Sequence, residues 1–109
     1  MTVGVFTLEL HLPGARSLKD KRQVVRRLKD RLRARHNVAV SELEEHADLW
    51  QRGTLAVVSV ASRREVLEAL FDAVQREAES QVPGEVIDTG RDFIEGSDGG
   101  PGGWEGDWR

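Results

Sequence analysis

The sequence predicts an α+β fold of four strands and two helices in the order β-α-β-β-α-β. Three observations predict it. Residues 3–12 alternate at period two, residues 18–35 and 63–81 carry apolar side chains at spacings of three and four, and a strand pattern flanks each helical segment on both sides.

In "VGVFTLELHL", Phe6, Leu8, Leu10 and Leu12 fall on one side of an extended chain, the pattern of a strand with one face in a core. "PGAR" breaks it. Ser17, followed by Asp20 three residues on, is a helix-start signature, because both side chains accept free N–H groups of a first turn. Leu18, Val25, Leu28 and Leu32, with Val24 beside them, then form one apolar stripe on a helix that runs to about Arg35.

Residues 37–43, "NVAVSEL", read as a short second strand, and residues 44–53 as a polar turn carrying Trp50. Residues 54–62, "TLAVVSVAS", are apolar and β-branched enough for a central strand. Ser62 and Glu65 suggest a second capping box. Val66, Leu67, Leu70, Phe71, Val74 and Ala78 trace the buried side of the second helix, which "VPG" at 82–84 stops. Residues 85–95 form a fourth strand, expected to bend at Gly90. Two helices on one face of a four-stranded antiparallel sheet make the ferredoxin-like sandwich. The expected domain covers residues 1–95. Residues 96–109 hold six glycines and no aliphatic side chain, which predicts a flexible tail, because such a segment buries too little surface to offset its ordering entropy.

Composition narrows the function classes. The chain has 109 residues, enough for one domain, and no cysteine, so disulfide and thiolate chemistry are excluded. The longest apolar run, residues 55–61, is far short of the ~20 residues that span a bilayer. The expectation is a cytoplasmic protein without membrane partners.

Charge is unevenly distributed. The chain has a formal net charge of −3, yet residues 16–35 contain ten of its sixteen Lys and Arg against two Asp. That segment is +8, and the remainder, with six bases against seventeen acids, is −11. On a helix turning about 100° per residue, Lys19, Arg22, Arg26, Lys29 and Arg33 form a single band beside the apolar stripe, with Arg27 and Arg31 beyond it. Like charges one turn apart repel, so a partner of opposite charge would relieve the band. The bland readings are a solvated face, or pairing with the acidic loop residues Glu42, Glu44, Glu45 and Asp48. The functional reading is a surface for phosphate backbone, most plainly that of structured RNA. Lys21 lies on the apolar side. It is either a snorkelling lysine or, with Arg16 and the "PGARS" turn, part of an anion site at the helix start. Trp50, beside Gln51 and Arg52, is expected to close one end of the core. Its alternative role is to anchor a partner or stack on RNA.

Other chemistry is thinly represented. No strand carries the paired aromatics with which RRM-type sheets stack bases. His11, His36 and His46 are scattered, "EEHAD" at 44–48 lacks ligand spacing, and no Walker loop or GxGxxG is present, so no cofactor or metal is expected. Acylphosphatases share this element order and use an arginine of the first loop with an asparagine. Arg16 lies in the right region and Asn37 is the sole asparagine, but that family's glycine-rich loop is missing. This enzyme, or a small anion-binding domain, is the alternative class, with a protein–protein interaction domain beside it. Strand edges and the split of charge favour a weak homodimer.

Two stretches, "ELHLPGARSLKDKRQVVRRL" and "DLWQRGTLAVVSVAS", resemble the YlxP-like bacterial proteins, through Ser17, Leu18, Lys19, Lys21 and Arg22, then Asp48, Leu49, Trp50, Gln51 and Arg52. The resemblance spans residues 3–95 and implies a ferredoxin-like fold without assigned catalytic residues. The genes of such proteins lie among translation genes in many bacteria, which implies ribosome- or RNA-linked work. The tail and "DTGRDF" depart from the family pattern.

Overall fold

The computed structural model describes residues 1–44 and 49–96. Its elements run β1 (Thr2–His11), α1 (Leu18–Arg35), β2 (Ala39–Glu42), β3 (Arg52–Ala61), α2 (Arg64–Gln81) and β4 (Val86–Glu95). The sheet order is β2-β3-β1-β4, all pairs antiparallel. Residues 97–109 of the predicted tail and the loop residues Glu45, His46 and Asp48 lie outside the described residues, while Gly96 donates its N–H to the carbonyl of Met1 at 2.9 Å.

Period two on β1 sets the layers. Phe6, Leu8 and Leu10 are fully buried and oppose Val57, Leu55 and Gly53 on β3. On this face Val25, Leu28 and Leu32 of α1 meet Leu67, Phe71, Val74 and Ala78 of α2 in one core. Phe6 and Phe71 stack with centroids 5.3 Å apart, and Phe71 meets Phe93 at 6.0 Å. Gly4 makes room for this stack, since a Cβ there would stand 2.7 Å from Cε2 of Phe71.

Four local expectations are corrected. α2 starts at Arg64 after Arg63, whose side chain makes no capping bond, so Ser62 and Glu65 form no capping box. Val66 is exposed and Leu70 only partly buried, because the stripe of α2 is centred on Leu67, Phe71, Val74 and Ala78. Leu18 is likewise only partly buried, two turns before Val25, where the buried apolar stripe begins. In β4 the register shift falls where Asp88 pairs Glu9 and Val86 pairs Leu10, leaving Ile87 as the extra residue; Gly90 stays in register opposite Thr7. Glycine suits that position by packing instead, since a Cβ would come 3.0 Å from Oγ1 of Thr7.

Candidate nucleic-acid interface on α1

The start of α1 is fixed by reciprocal bonds. Oγ of Ser17 accepts from the N–H of Asp20 at 3.1 Å, and a carboxylate oxygen of Asp20 accepts from the N–H of Arg16 at 2.9 Å. One donor that the first helical turn leaves unpaired, the N–H of Asp20, is thus satisfied, and the chain entering the helix is tied to that turn through Arg16. The buried stripe fixes one side, and the cationic band falls beside it.

Lys19, Arg22, Arg26 and Arg33 are exposed and Lys29 is partly so. From Lys19 to Arg33 the row spans ~21 Å at ~1.5 Å rise per residue. Arg33 donates to Oδ1 of Asp30 at 2.7 Å. Among the described residues, the side chains of Arg16, Lys19, Arg22, Arg26 and Lys29 make no ion pair. Arg22, Arg26, Lys29 and Arg33 line a shallow cleft between α1 and β2, together with the acids Asp30 and Glu42.

The far side of the helix is different. Glu77 of α2, itself largely buried, lies 3.5 Å from both Nε of Arg31 and Nε of Arg35, and 4.0 Å from Nε2 of His36. Arg31, its side chain still 41% exposed, thus ties α1 to α2. Arg27 remains exposed.

Lys21 departs from both of its sequence readings. It is 2% exposed, so its amine does not reach water as a snorkelling lysine's would. Nζ donates to the carbonyl of Leu49 at 2.9 Å and lies 3.2 Å from Oε2 of Glu42. It joins α1 to β2 and to the segment before β3. Gly53 leaves space for the stem; a Cβ there would stand 3.6 Å from Cε of Lys21. An anion site at the helix start that includes Lys21 is thereby excluded in this geometry.

Trp50 is also corrected. The ring is 48% exposed, as is Leu49, so it does not close the core. Its backbone neighbours are nonetheless held, because the carbonyl of Leu49 accepts from Lys21 and that of Gln51 accepts from the N–H of Leu12 at 2.8 Å. The ring is thus presented to solvent from a fastened turn, near the start of α1. Arg52 shares a shallow depression with Trp50 and lies 3.9 Å from Glu9 on β1.

The acylphosphatase-like pairing finds no geometry. Arg16 precedes α1 and Asn37 follows it, so a helix ~27 Å long separates them. Among the described residues, no group of three His, Cys, Asp or Glu side chains is placed to hold a metal ion. No helix among them is long and apolar enough to cross a membrane.

Sheet, helices and connections together define a small ferredoxin-like domain with a cationic helix on its flank. The chain belongs to the family described as "Protein of unknown function (DUF503)", which matches residues 3–91. It is similar to "Uncharacterized protein YlxP" of Bacillus subtilis (strain 168), with 36% identity over 62 residues, 57% of this chain and 66% of that protein. The chain therefore spans just under two thirds of that relative's length. These matches bear out the resemblance read from the two motifs. Among solved structures, the de novo designed protein Foldit4 superposes with a TM-score of 0.55 at 12% identity, covering 88% of this chain and 98% of the design. The de novo designed protein LFR1 1, with a ferredoxin fold, superposes with a TM-score of 0.51 at 14% identity, covering 93% and 90%. At such identities the two designs speak to fold alone.

Proposed function

We propose that this protein is a non-enzymatic binding module of the bacterial cytoplasm that holds the phosphate backbone of structured RNA, or of a ribosomal component, along α1. One observation carries the reading: Lys19, Arg22, Arg26 and Lys29 form a row of cations without acidic partners among the described residues, on a chain of net negative charge. Such a row is self-repelling, and phosphate offsets the repulsion while releasing condensed counterions. Arg16 extends it at one end. Arg33 joins at the other end once phosphate competes for its contact with Asp30. The half-exposed ring of Trp50 supports a stacking role for an unpaired base near the start of the row. The translation-linked setting implied by the family resemblance agrees with an RNA ligand.

Fluorescence anisotropy with ribosomal RNA hairpins at low salt tests the reading. Wild type should bind. The Arg26→Glu/Arg33→Glu double variant should lose binding while keeping its melting temperature, since both side chains point away from the core. Absence of binding by wild type, or an unimpaired double variant, overturns it.

A further inference from the structure

The pairing register sets a polar row across the sheet face that points away from the helices. Leu8 and Leu10 of β1 turn toward the helices, so Glu9 between them turns the other way. Thr54 of β3 pairs Glu9 on one side, and Asp88 of β4 pairs it on the other. In the next row on this face, Thr7 stands between Ala56 and Gly90. Thr7, Glu9, Thr54, Asp88 and Thr89, with Leu43 and Gly90, line an open depression of about 320 Å³. That is the small end of ligand-sized clefts.

One buried atom of this lining lacks a partner. Thr54 is 4% exposed, and among the described residues nothing hydrogen-bonds its Oγ1. A buried hydroxyl left unpaired costs stability, and an isosteric valine would avoid that cost. The charge beside it is one-sided. Glu9, Asp88 and Asp92 share this face, while Arg52 lies 3.9 Å from Glu9 and answers that carboxylate in part. Every polar side chain that lines the depression ends in oxygen: three hydroxyls and two carboxylates.

We propose that this depression binds a protonated aliphatic polyamine, with one ammonium held by Thr54, Glu9 and Asp88. An ammonium offers three N–H donors and no acceptor, which matches a lining of oxygen acceptors. A divalent metal fits less well, since magnesium demands a near-ideal octahedral set of oxygens. Among the described residues no three His, Cys, Asp or Glu side chains are grouped to hold a metal ion. The course of β4 selects a chain with more than one amine. Gly90 lies between Asp88 and Asp92 on the same face and has no side chain, so a trough continues from one carboxylate to the other. Their Cα atoms are ~13 Å apart at ~3.3 Å per residue. A linear triamine spans that distance with its methylenes over Gly90, and a monoamine does not. The helices lie on the other side of the sheet, so this site stands independently of RNA binding.

Isothermal titration calorimetry at low salt tests it with spermidine, butylamine and magnesium chloride. The proteins are wild type, Thr54→Val, Asp88→Asn, Asp92→Asn and, as a control, Glu79→Gln on the exposed side of α2. Wild type should bind spermidine about tenfold or more tighter than butylamine or magnesium. Thr54→Val should weaken spermidine binding by about fivefold or more and also raise the melting temperature of the free protein, because it removes an unpaired buried hydroxyl. Asp88 and Asp92 are exposed, so both Asn variants should fold. Asp88→Asn should weaken both amines, Asp92→Asn spermidine alone, and Glu79→Gln neither. A wild type that does not bind spermidine, magnesium bound as tightly as spermidine, or an affinity indifferent to Thr54→Val and Asp88→Asn overturns the site.

Discussion

Nζ of Lys21 lies 3.2 Å from Oε2 of Glu42, inside a domain whose other cations on α1 mostly face water. The same amine donates to the carbonyl of Leu49. One lysine thus links α1, β2 and the turn that presents Trp50. Breaking a buried pair costs more than the pair itself contributes, because the remaining charge is left without compensation.

Lys21→Met tests this link. The thioether chain keeps the packed volume and removes the charge. The variant should lose about 1–3 kcal/mol, less than a fully buried pair because Glu42 is partly solvated. At this domain size that lowers the melting temperature by about 4–8 °C per kcal/mol. Its salt dependence of RNA binding should match wild type. A variant with unchanged melting but a flatter salt slope would show that Lys21 contacts ligand instead.

Gly4→Ala tests the packing of the aromatic stack. The added Cβ enters the space held by the Phe71 ring, 2.7 Å from Cε2 and 2.9 Å from Cζ. Phe71 is enclosed by Phe6 and Phe93 and has little room to yield. A destabilisation of about 1–3 kcal/mol is expected from overpacking, measured by urea denaturation. A neutral result would mean that α2 slides freely over the sheet.

Trp50→Ala separates anchoring from structure. A half-exposed ring on a turn held by backbone bonds should contribute little to stability, within about 1 kcal/mol. Base–aromatic stacking contributes ~1–3 kcal/mol per base. Affinity for a hairpin with unpaired bases should therefore fall by about fivefold or more, while affinity for a blunt duplex should hold. Equal losses on both RNAs, or no loss on either, removes the stacking role.

The element order, the helix bounds of α1 and most of the core were legible in the sequence, because period two in β1 and the stripe of α1 are set by a single burial plane. What failed depended on neighbours outside the local window. Val66 fits a helical stripe by spacing, but the position of α2 over β1 and β4 decides which arc is covered. The fate of Lys21 depends on Glu42 and on the carbonyl of Leu49, 21 and 28 residues away. The pull of Glu77 on Arg31 and Arg35 crosses between helices and has no local signature. The grouping of Val3, Val5, Val58 and Val60 was missed for a related reason: they read as generic strand residues until pairing shows that β1 and β3 place them on one face.

The most direct test of the central claim is the salt dependence of RNA affinity. Some four to five phosphate contacts along α1 predict a log–log slope of about −3 to −4.5. Arg22→Gln and Arg26→Gln should each flatten it by somewhat less than one unit and weaken all RNA sequences alike, because phosphate contacts position without specifying. A slope near zero, or one that these substitutions leave unchanged, would contradict the assignment of α1 as the phosphate-binding surface.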